Sequence, residues 1–344
     1  MSKTTITYNQ IDLNRLKDKL SSPKKIVLLG HVSPDGDAIG STLALSSVLR
    51  KQGHTTKVLY PTPYPPSFDF LEGASEAIIA KDRHDEACSI LEDADVIFLM
   101  DFNEPKRVEQ LERPLIDSKA FKVMIDHHLH PTGIVDICFS YPQKAATCLI
   151  TYELIMALGW EDFIDKKVAE CIYTGMMTDT GGFNYNSEDP GLYTALSVLL
   201  EHGIEKDAIT SLITRSFSID KVKLNAYLLA NNLTFYPKFH AAIITMGKKE
   251  KGMFDYQVGD TEGLVNEPLA AKDIRFSIFL HEQVKYTKIS LRSKGKFPAN
   301  EFASKFFNGG GHHNAAGAEV FAPLKTVYDM VLEAVKLMHP EDDE

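Results

Sequence analysis

The chain has 344 residues, of which 44% are hydrophobic, and a formal net charge of −10. That length suffices for two domains with separate cores, and the acidic balance excludes a protein that coats long nucleic acid through a general positive field, because such binding neutralises many phosphates at once. The N-terminus has no basic stretch leading into an apolar segment, and no run approaches the roughly 18–20 apolar residues of a membrane span, so a soluble cytoplasmic protein with no membrane partner is expected.

In chain order, the apolar runs "KKIVLLGH", "TTKVLY", "DADVIFLMD" and "FKVMIDHH" read as buried strands. Helical spacing follows Ser41, recurs around residues 82–91 and again over 147–158. Strands alternating with helices predict a parallel α/β sheet, whose ligands collect at the carboxyl ends of the strands beyond a topological switch point. From about Asp189 to Tyr227 the pattern is helical with no strand. Strand-like segments then return in "FHAAIITM", "IRFSIFLHEQ" and "YTKISLRS", before a terminal helix "LKTVYDMVLEAVKLM". The predicted organisation is an N-terminal parallel-sheet α/β domain over 1–195, a helical linker over 196–230 and a smaller C-terminal α/β domain over 231–344. Cys88, Cys138, Cys148 and Cys171 show no C-x-x-C spacing and lie in or beside apolar segments, so they read as buried reduced thiols. Phe302, Phe306 and Phe307, like Met176 and Met177, read as core.

The stretch "GHVSPDGDAIGS" (30–41) fits neither G-x-G-x-x-G nor G-x-x-x-x-G-K-[ST]. It offers the imidazole of His31 and the carboxylates of Asp35 and Asp37, which in a loop can point to different sides and serve two ions, with Pro34 and Gly36 making the tight turn between them. Taken alone it reads more readily as a turn, with Asp37 capping a helix that begins near Ala38. The other strand ends shift the balance. "VIFLMD" delivers Asp101, "KVMIDHH" delivers Asp126, His127 and His128, and "IYTGMMTDTGGF" places Asp179 after an apolar helix. So many acids at one sheet edge would repel one another unless a divalent cation intervened. Mixed imidazole and carboxylate ligation suits first-row ions, Mn²⁺ foremost, and a pair of such ions suits phosphoester hydrolysis.

In the C-terminal part, Gly309, Gly310 and Gly311 let the backbone approach a ligand, His312 follows at once, and Arg292 offers a bidentate fork for phosphate. Lys285, Lys288, Lys294, Lys296 and Lys305 make the same segment locally basic, mostly as a solvated face.

Together these motifs resemble the DHH phosphoesterases. The four N-terminal motifs of that family match in order as "GHVSPDGDAIGS", "MDFNEP", "IDHH" and "TGMMTDTGG", while "ISLRS" and "FFNGGGHHNAAGAEV" resemble the arginine and glycine-rich motifs of its associated C-terminal domain. The resemblance implies an active site in the cleft between the domains, with two divalent ions, Mn²⁺ foremost. His31, Asp35 and Asp101 would hold one ion and Asp37, Asp101, His127 and Asp179 the other, with Asp101 as the bridge. It further implies that His128 faces the phosphate, that Asp126 orients an imidazole, and that a hydroxide shared by the ions is the nucleophile. Arg292, Gly310, Gly311 and His312 would bind substrate. The two-domain plan is similar to the oligoribonuclease and 3′,5′-bisphosphate nucleotidase subfamily, which implies short RNA or DNA oligonucleotides, or adenosine 3′,5′-bisphosphate, as substrate. Alternatives within the same chemistry are a cyclic di-AMP or linear pApA phosphodiesterase and a RecJ-type single-strand exonuclease; outside it stands a non-catalytic nucleotide-binding sensor. The sequence leaves room for a homodimer.

Overall fold

The computed structural model describes residues 8–215 and 218–340. The chain divides into two compact units, Met1–Ser216 and Phe217–Glu344.

In the first unit, α1 (Gln10–Lys19) leads into β1 (Lys25–Leu29), α2 (Gly36–Lys51), β2 (Thr55–Tyr60) and the two-residue β3 (Ile78–Ile79). There follow α3 (His84–Glu92), β4 (Val96–Met100), α4 (Glu112–Asp117), β5 (Phe121–Asp126), β6 (Ile137–Ser140), α5 (Thr147–Ala157), α6 (Lys166–Asp179), α7 (Pro190–Glu201) and α8 (Lys206–Arg215). Among the described residues the strands form one parallel sheet in the order β3-β2-β1-β4-β5-β6. The chain winds outward from β1 in one direction and from β4 in the other, so the switch point lies between β1 and β4.

Both faces of the sheet are covered, which is why its central strands β1, β4 and β5 are buried almost continuously rather than alternating. Ile26 and Leu28 of β1 enter a core with α2, α5 and α6, while Val27 and Leu29 enter one on the opposite face with Ala87, Leu91 and Leu115. The predicted parallel α/β sheet is the one observed.

Two details differ from the sequence reading. Helix α2 starts at Gly36, with Asp35 rather than Asp37 as its N-cap; the Asp35 carboxylate accepts from the backbone N–H groups of Asp37 and Ala38. The turn before it falls at Val32 and Ser33, where Ser33 takes φ 52°, so Gly36 is helical and makes no turn. Of the cysteines, Cys148 and Cys171 are buried but Cys88 is half-buried and Cys138 is exposed; all four are free thiols. Cys138 lies on the edge strand β6, whose burial alternates, and its side chain falls on the open side.

The second unit contains α9 (Ile219–Asn231), β7 (Leu233–Tyr236), β8 (Ala241–Met246), α10 (Lys248–Met253), β9 (Phe276–Glu282), β10 (Thr287–Ser293), α11 (Ala299–Phe307), β11 (Gly310–His312), β12 (Ala315–Val320) and α12 (Leu324–Leu337). Its strands form a second sheet, β11-β12-β10-β9-β8-β7, antiparallel except for the β8 and β9 pair. Phe302 and Phe307 are buried with Val327 and Val331 on one face of this sheet. On the other face Leu224 and Leu228 of α9 pack on Ile244 and Phe279. Within the 190–231 helical region, Leu192, Leu199 and Ile209 belong to the first unit's core and Leu224 and Leu228 to the second's. Among the described residues no helix is long and apolar enough to cross a membrane.

Candidate metal centre

The carboxyl ends of β1, β4 and β5 deliver His31, Asp101 and the run Asp126-His127-His128 to one edge of the first sheet. The first turn of α2 brings Asp35 and Asp37 to that edge, and the last residue of α6 brings Asp179. The two helices reach it together because they pack with almost no side chain between them. A Cβ on Gly40 would lie 2.4 Å from the Cys171 carbonyl oxygen, and one on Gly175 would lie 2.2 Å from Cys148 Sγ and 2.7 Å from Asp37 Oδ1. Asp101 itself takes a left-handed backbone, φ 64°, as its N–H donates to the Ile125 carbonyl. Such strain at a non-glycine residue persists where the surroundings over-determine it.

Two imidazoles face opposite oxygens of the Asp101 carboxylate. His31 Nε2 is 3.5 Å from Asp101 Oδ2 and 3.9 Å from Asp35 Oδ1. His127 Nε2 is 3.5 Å from Asp101 Oδ1, 3.5 Å from Asp179 Oδ2 and 3.9 Å from Asp37 Oδ2. Bonds of about 2.0–2.2 Å to a shared cation separate ligand atoms by about 3–4 Å, so both sets have the spacing of a coordination sphere. On their far sides, His31 Nδ1 lies 2.8 Å from the Val32 carbonyl and His127 Nδ1 lies 3.2 Å from the Lys144 carbonyl. A carbonyl only accepts, so each Nδ1 donates its proton there and each Nε2 is the nitrogen turned toward the carboxylates, the one a cation would bind once its proton is displaced.

His128 is held differently. Its Nδ1 is 2.7 Å from Asp126 Oδ1 and its backbone N–H donates to Asp126 Oδ2. Asp126 is fully buried, so the ring of His128 has a carboxyl partner held in place.

Two residues that the sequence reading does not assign to the site complete the cluster. The Thr147 hydroxyl donates to Asp101 Oδ1 at 2.8 Å, and the backbone N–H groups of Thr147 and Cys148 donate to Asp37 Oδ2 and Oδ1 at 2.5 and 2.8 Å. Helix α5 begins at Thr147 after Ala146, which has no side-chain acceptor to cap it. Asp37 fills that role from another part of the chain, and an uncapped helix start was the one signal in the sequence that could have exposed it.

The electrostatics describe a site with an excess of carboxylate. Burial lifts the Asp37 carboxyl well above the usual range, with Asp101 and Asp179 adding to the effect. Removal from water lifts Asp179 to about 7, opposed by His127. Burial opposes a charge on His127, yet Asp179, Asp101 and Asp37 outweigh it and bring the imidazole up to about 10. For Asp101 burial acts upward, but the hydrogen bond from His31 and the nearby imidazoles hold it below the usual carboxylate range. Protons held at unusually high pH in a crowded acidic cluster, buried at Asp37 and Asp101 and open at Asp179, occupy the place a divalent cation would take. The groups His31, Asp35, Asp101 and Asp37, His127, Asp179 are each close enough to share an ion.

In the second unit, Arg292 of β10 and His312 of β11 both pair in register with Ala315 of β12. Cross-strand partners point to one face, so Arg292, Ala315 and His312 form a row across three adjacent strands, opposite the α11 and α12 core. The next row is Ser290, Gly317 and Gly310. Space above Gly310 is open. The result is a shallow strip floored by glycine and alanine, with a guanidinium and an imidazole at one end. Gly311, with φ 143°, instead packs against Ala315 and Ala316 of the neighbouring strand.

Residues 25–176 match the family model described as the DHH family N-terminal domain, and residues 241–337 match the DHHA1 domain. A Thermus thermophilus protein named bifunctional oligoribonuclease and PAP phosphatase NrnA is 28% identical over 317 residues, covering 90% of this chain and 89% of its own. A Bacillus subtilis protein of the same name is 25% identical, over 86% and 90% of the two chains. The crystal structure of an exopolyphosphatase-related protein from Bacteroides fragilis superposes with a TM-score of 0.93 at 39% identity, over 97% of this chain and 98% of that one. The ordered acids and imidazoles at the sheet edge and both matching domains have one origin: the chain belongs to the DHH family of phosphoesterases.

Proposed function

We propose that the protein hydrolyses short oligonucleotides to nucleoside monophosphates and adenosine 3′,5′-bisphosphate to AMP, using two divalent ions, Mn²⁺ foremost. The observation that carries this reading is the buried Asp101 carboxylate, with a separate imidazole and carboxylate set facing each of its oxygens. In it, His31, Asp35 and Asp101 hold one ion, and Asp37, Asp101, His127 and Asp179 the other. When bound, the ions polarise a phosphoryl oxygen and lower the pKa of water at the site.

The chain's own residues do the rest. Asp126 fixes the His128 ring through Nδ1, leaving Nε2 to donate to a phosphoryl oxygen or to pass a proton to the departing one. Thr147 keeps Asp101 in the orientation that serves both sides. Arg292 and His312 take the terminal phosphate, and the strip at Gly310 admits it close to the backbone. A charged-end recognition site of this kind favours short substrates over long strands, in keeping with the names of the Thermus and Bacillus relatives.

A single substrate panel tests the reading. Purified protein with Mn²⁺ is offered adenosine 3′,5′-bisphosphate, RNA and DNA of two to five nucleotides, cyclic di-AMP, linear pApA, pyrophosphate, polyphosphate and a long single strand. Preference for the first two classes is expected. Asp101→Ala and His127→Ala should abolish turnover, whereas Arg292→Ala should mainly raise KM. A long strand degraded as fast as a trimer, or cyclic di-AMP as the preferred substrate, contradicts the proposal. Mn²⁺ binding without turnover of any member replaces it with the sensor reading.

A further inference from the structure

Lys144 is a buried cation outside the cluster. Its side chain is 3% exposed, and Nζ lies 2.6 Å from Glu153 Oε1 on α5 and 2.9 Å from Asp189 Oδ2 at the start of α7. Burying such charges is costly, and apolar packing at the same place would often be at least as stable. Stability alone therefore does not account for an ion triad here. Its position does. The Lys144 carbonyl is the partner of His127 Nδ1. Two fully buried alanines later, Thr147 contacts Asp101 through its hydroxyl and Asp37 through its N–H. The segment 144–147 thus touches three of the clustered residues on one side, and on the other is tied by a charged side chain to two helices.

We infer that Lys144 is a positioning residue: its ion triad with Glu153 and Asp189 fixes segment 144–147, and through it the aim of His127 and the spacing of Asp37 and Asp101, so that the triad sets the affinity for divalent cation. The inference rests on the metal reading above. It assigns no contact between Lys144 and substrate.

The test is Mn²⁺ binding by calorimetry, with thermal unfolding in parallel, for wild type, Lys144→Met, Glu153→Gln, Asp189→Asn and Leu16→Val. Glu153→Gln and Asp189→Asn preserve shape, and asparagine keeps the N-cap that Asp189 provides to Gly191. Leu16 is fully buried in the first core and takes no part in the site, so Leu16→Val should lower Tm with Mn²⁺ affinity unchanged. Lys144→Met should weaken Mn²⁺ binding by about tenfold or more, in the range seen for outer partners of metal ligands, and each amide variant by about three- to tenfold. Should Lys144→Met fail to fold, the two amide variants decide. If they bind Mn²⁺ within about twofold of wild type while losing Tm as Leu16→Val does, the triad is a structural tie and the inference is overturned. Wild-type protein that binds no Mn²⁺ overturns the metal reading itself, a result visible before any variant is measured.

Discussion

Gly40→Ala sets two well-founded expectations against each other. Alanine is the better helix former by up to about 1 kcal/mol, so in an exposed helix the change would stabilise. In α2, however, the new methyl would sit 2.4 Å from the Cys171 carbonyl oxygen and 2.9 Å from Cys148 Sγ. Restoring ordinary contact requires α2 and α6 to separate by about 1 Å, and overpacking of this kind costs about 1–3 kcal/mol. The net expectation is a loss of about 1–2 kcal/mol, or a fall in Tm of about 2–8 °C for a unit of this size. Asp37 and Asp179 ride on those two helices, so Mn²⁺ affinity should fall as well. Gly252→Ala in α10 is the matched control, because nothing lies within 4 Å of its added methyl and it should gain a few tenths of a kcal/mol, up to about 1. Thermal unfolding of both variants and Mn²⁺ titration of Gly40→Ala decide the matter. A Gly40→Ala protein as stable as Gly252→Ala would refute the claim that glycine there permits the helix contact that assembles the site.

Three further outcomes are expected. Thr147→Val keeps the shape of the side chain but removes the donor to Asp101, a hydrogen bond to a charged group worth about 1.5–3 kcal/mol; kcat/KM should drop by at least about tenfold, and an unchanged value would remove Thr147 from the machinery. In chelator-treated protein the raised Asp37 and Asp179 carboxyls, and His127 near 10, make the folded state hold more protons than the unfolded chain from about pH 4 upward. Stability therefore falls as pH rises through that window, and the gain in Tm on adding Mn²⁺ should be larger at about pH 8 than at about pH 5.5; the reverse order would sink the argument. Native protein should react with a thiol reagent first at exposed Cys138, while burial, which pushes Cys171 up to about 12 and lifts Cys148 further from thiolate, protects those two; mass spectrometry after brief labelling shows whether Cys148 reacts as early.

Much of the candidate site was legible because His31, Asp101 and the run Asp126-His127-His128 come at the ends of apolar strands, and Asp179 at the end of an apolar helix. The physics of a parallel sheet, buried on both faces and open only at its ends, turns "VIFLMD" and "KVMIDHH" into directions as well as elements. What stayed hidden is what depends on partners far along the chain. Nothing in the sequence shows why position 40 is glycine until Cys171 is seen beside it, and Asp37 looks like the cap of its own helix although it caps α5. Strand β12, "AAGAEV", was missed because alanine and glycine have little β-propensity; it is a strand through the backbone ladders to β10 and β11 on either side. Cys138 was misread because its segment is apolar, whereas exposure is set by its place on an edge strand.

The bond from Asp37 to the amides of Thr147 and Cys148 joins points 110 and 111 residues apart in the chain. Such a contact carries the entropic cost of closing a long loop, so it persists only where the surrounding fold already holds both segments together. It also makes those two amide protons intrinsic reporters. They lie at the start of a helix, where protection normally comes from a local cap, but here it comes from the site's own carboxylate. Their hydrogen exchange therefore measures how often Asp37 lets go, and the opening of the centre can be followed without substrate, label or added metal.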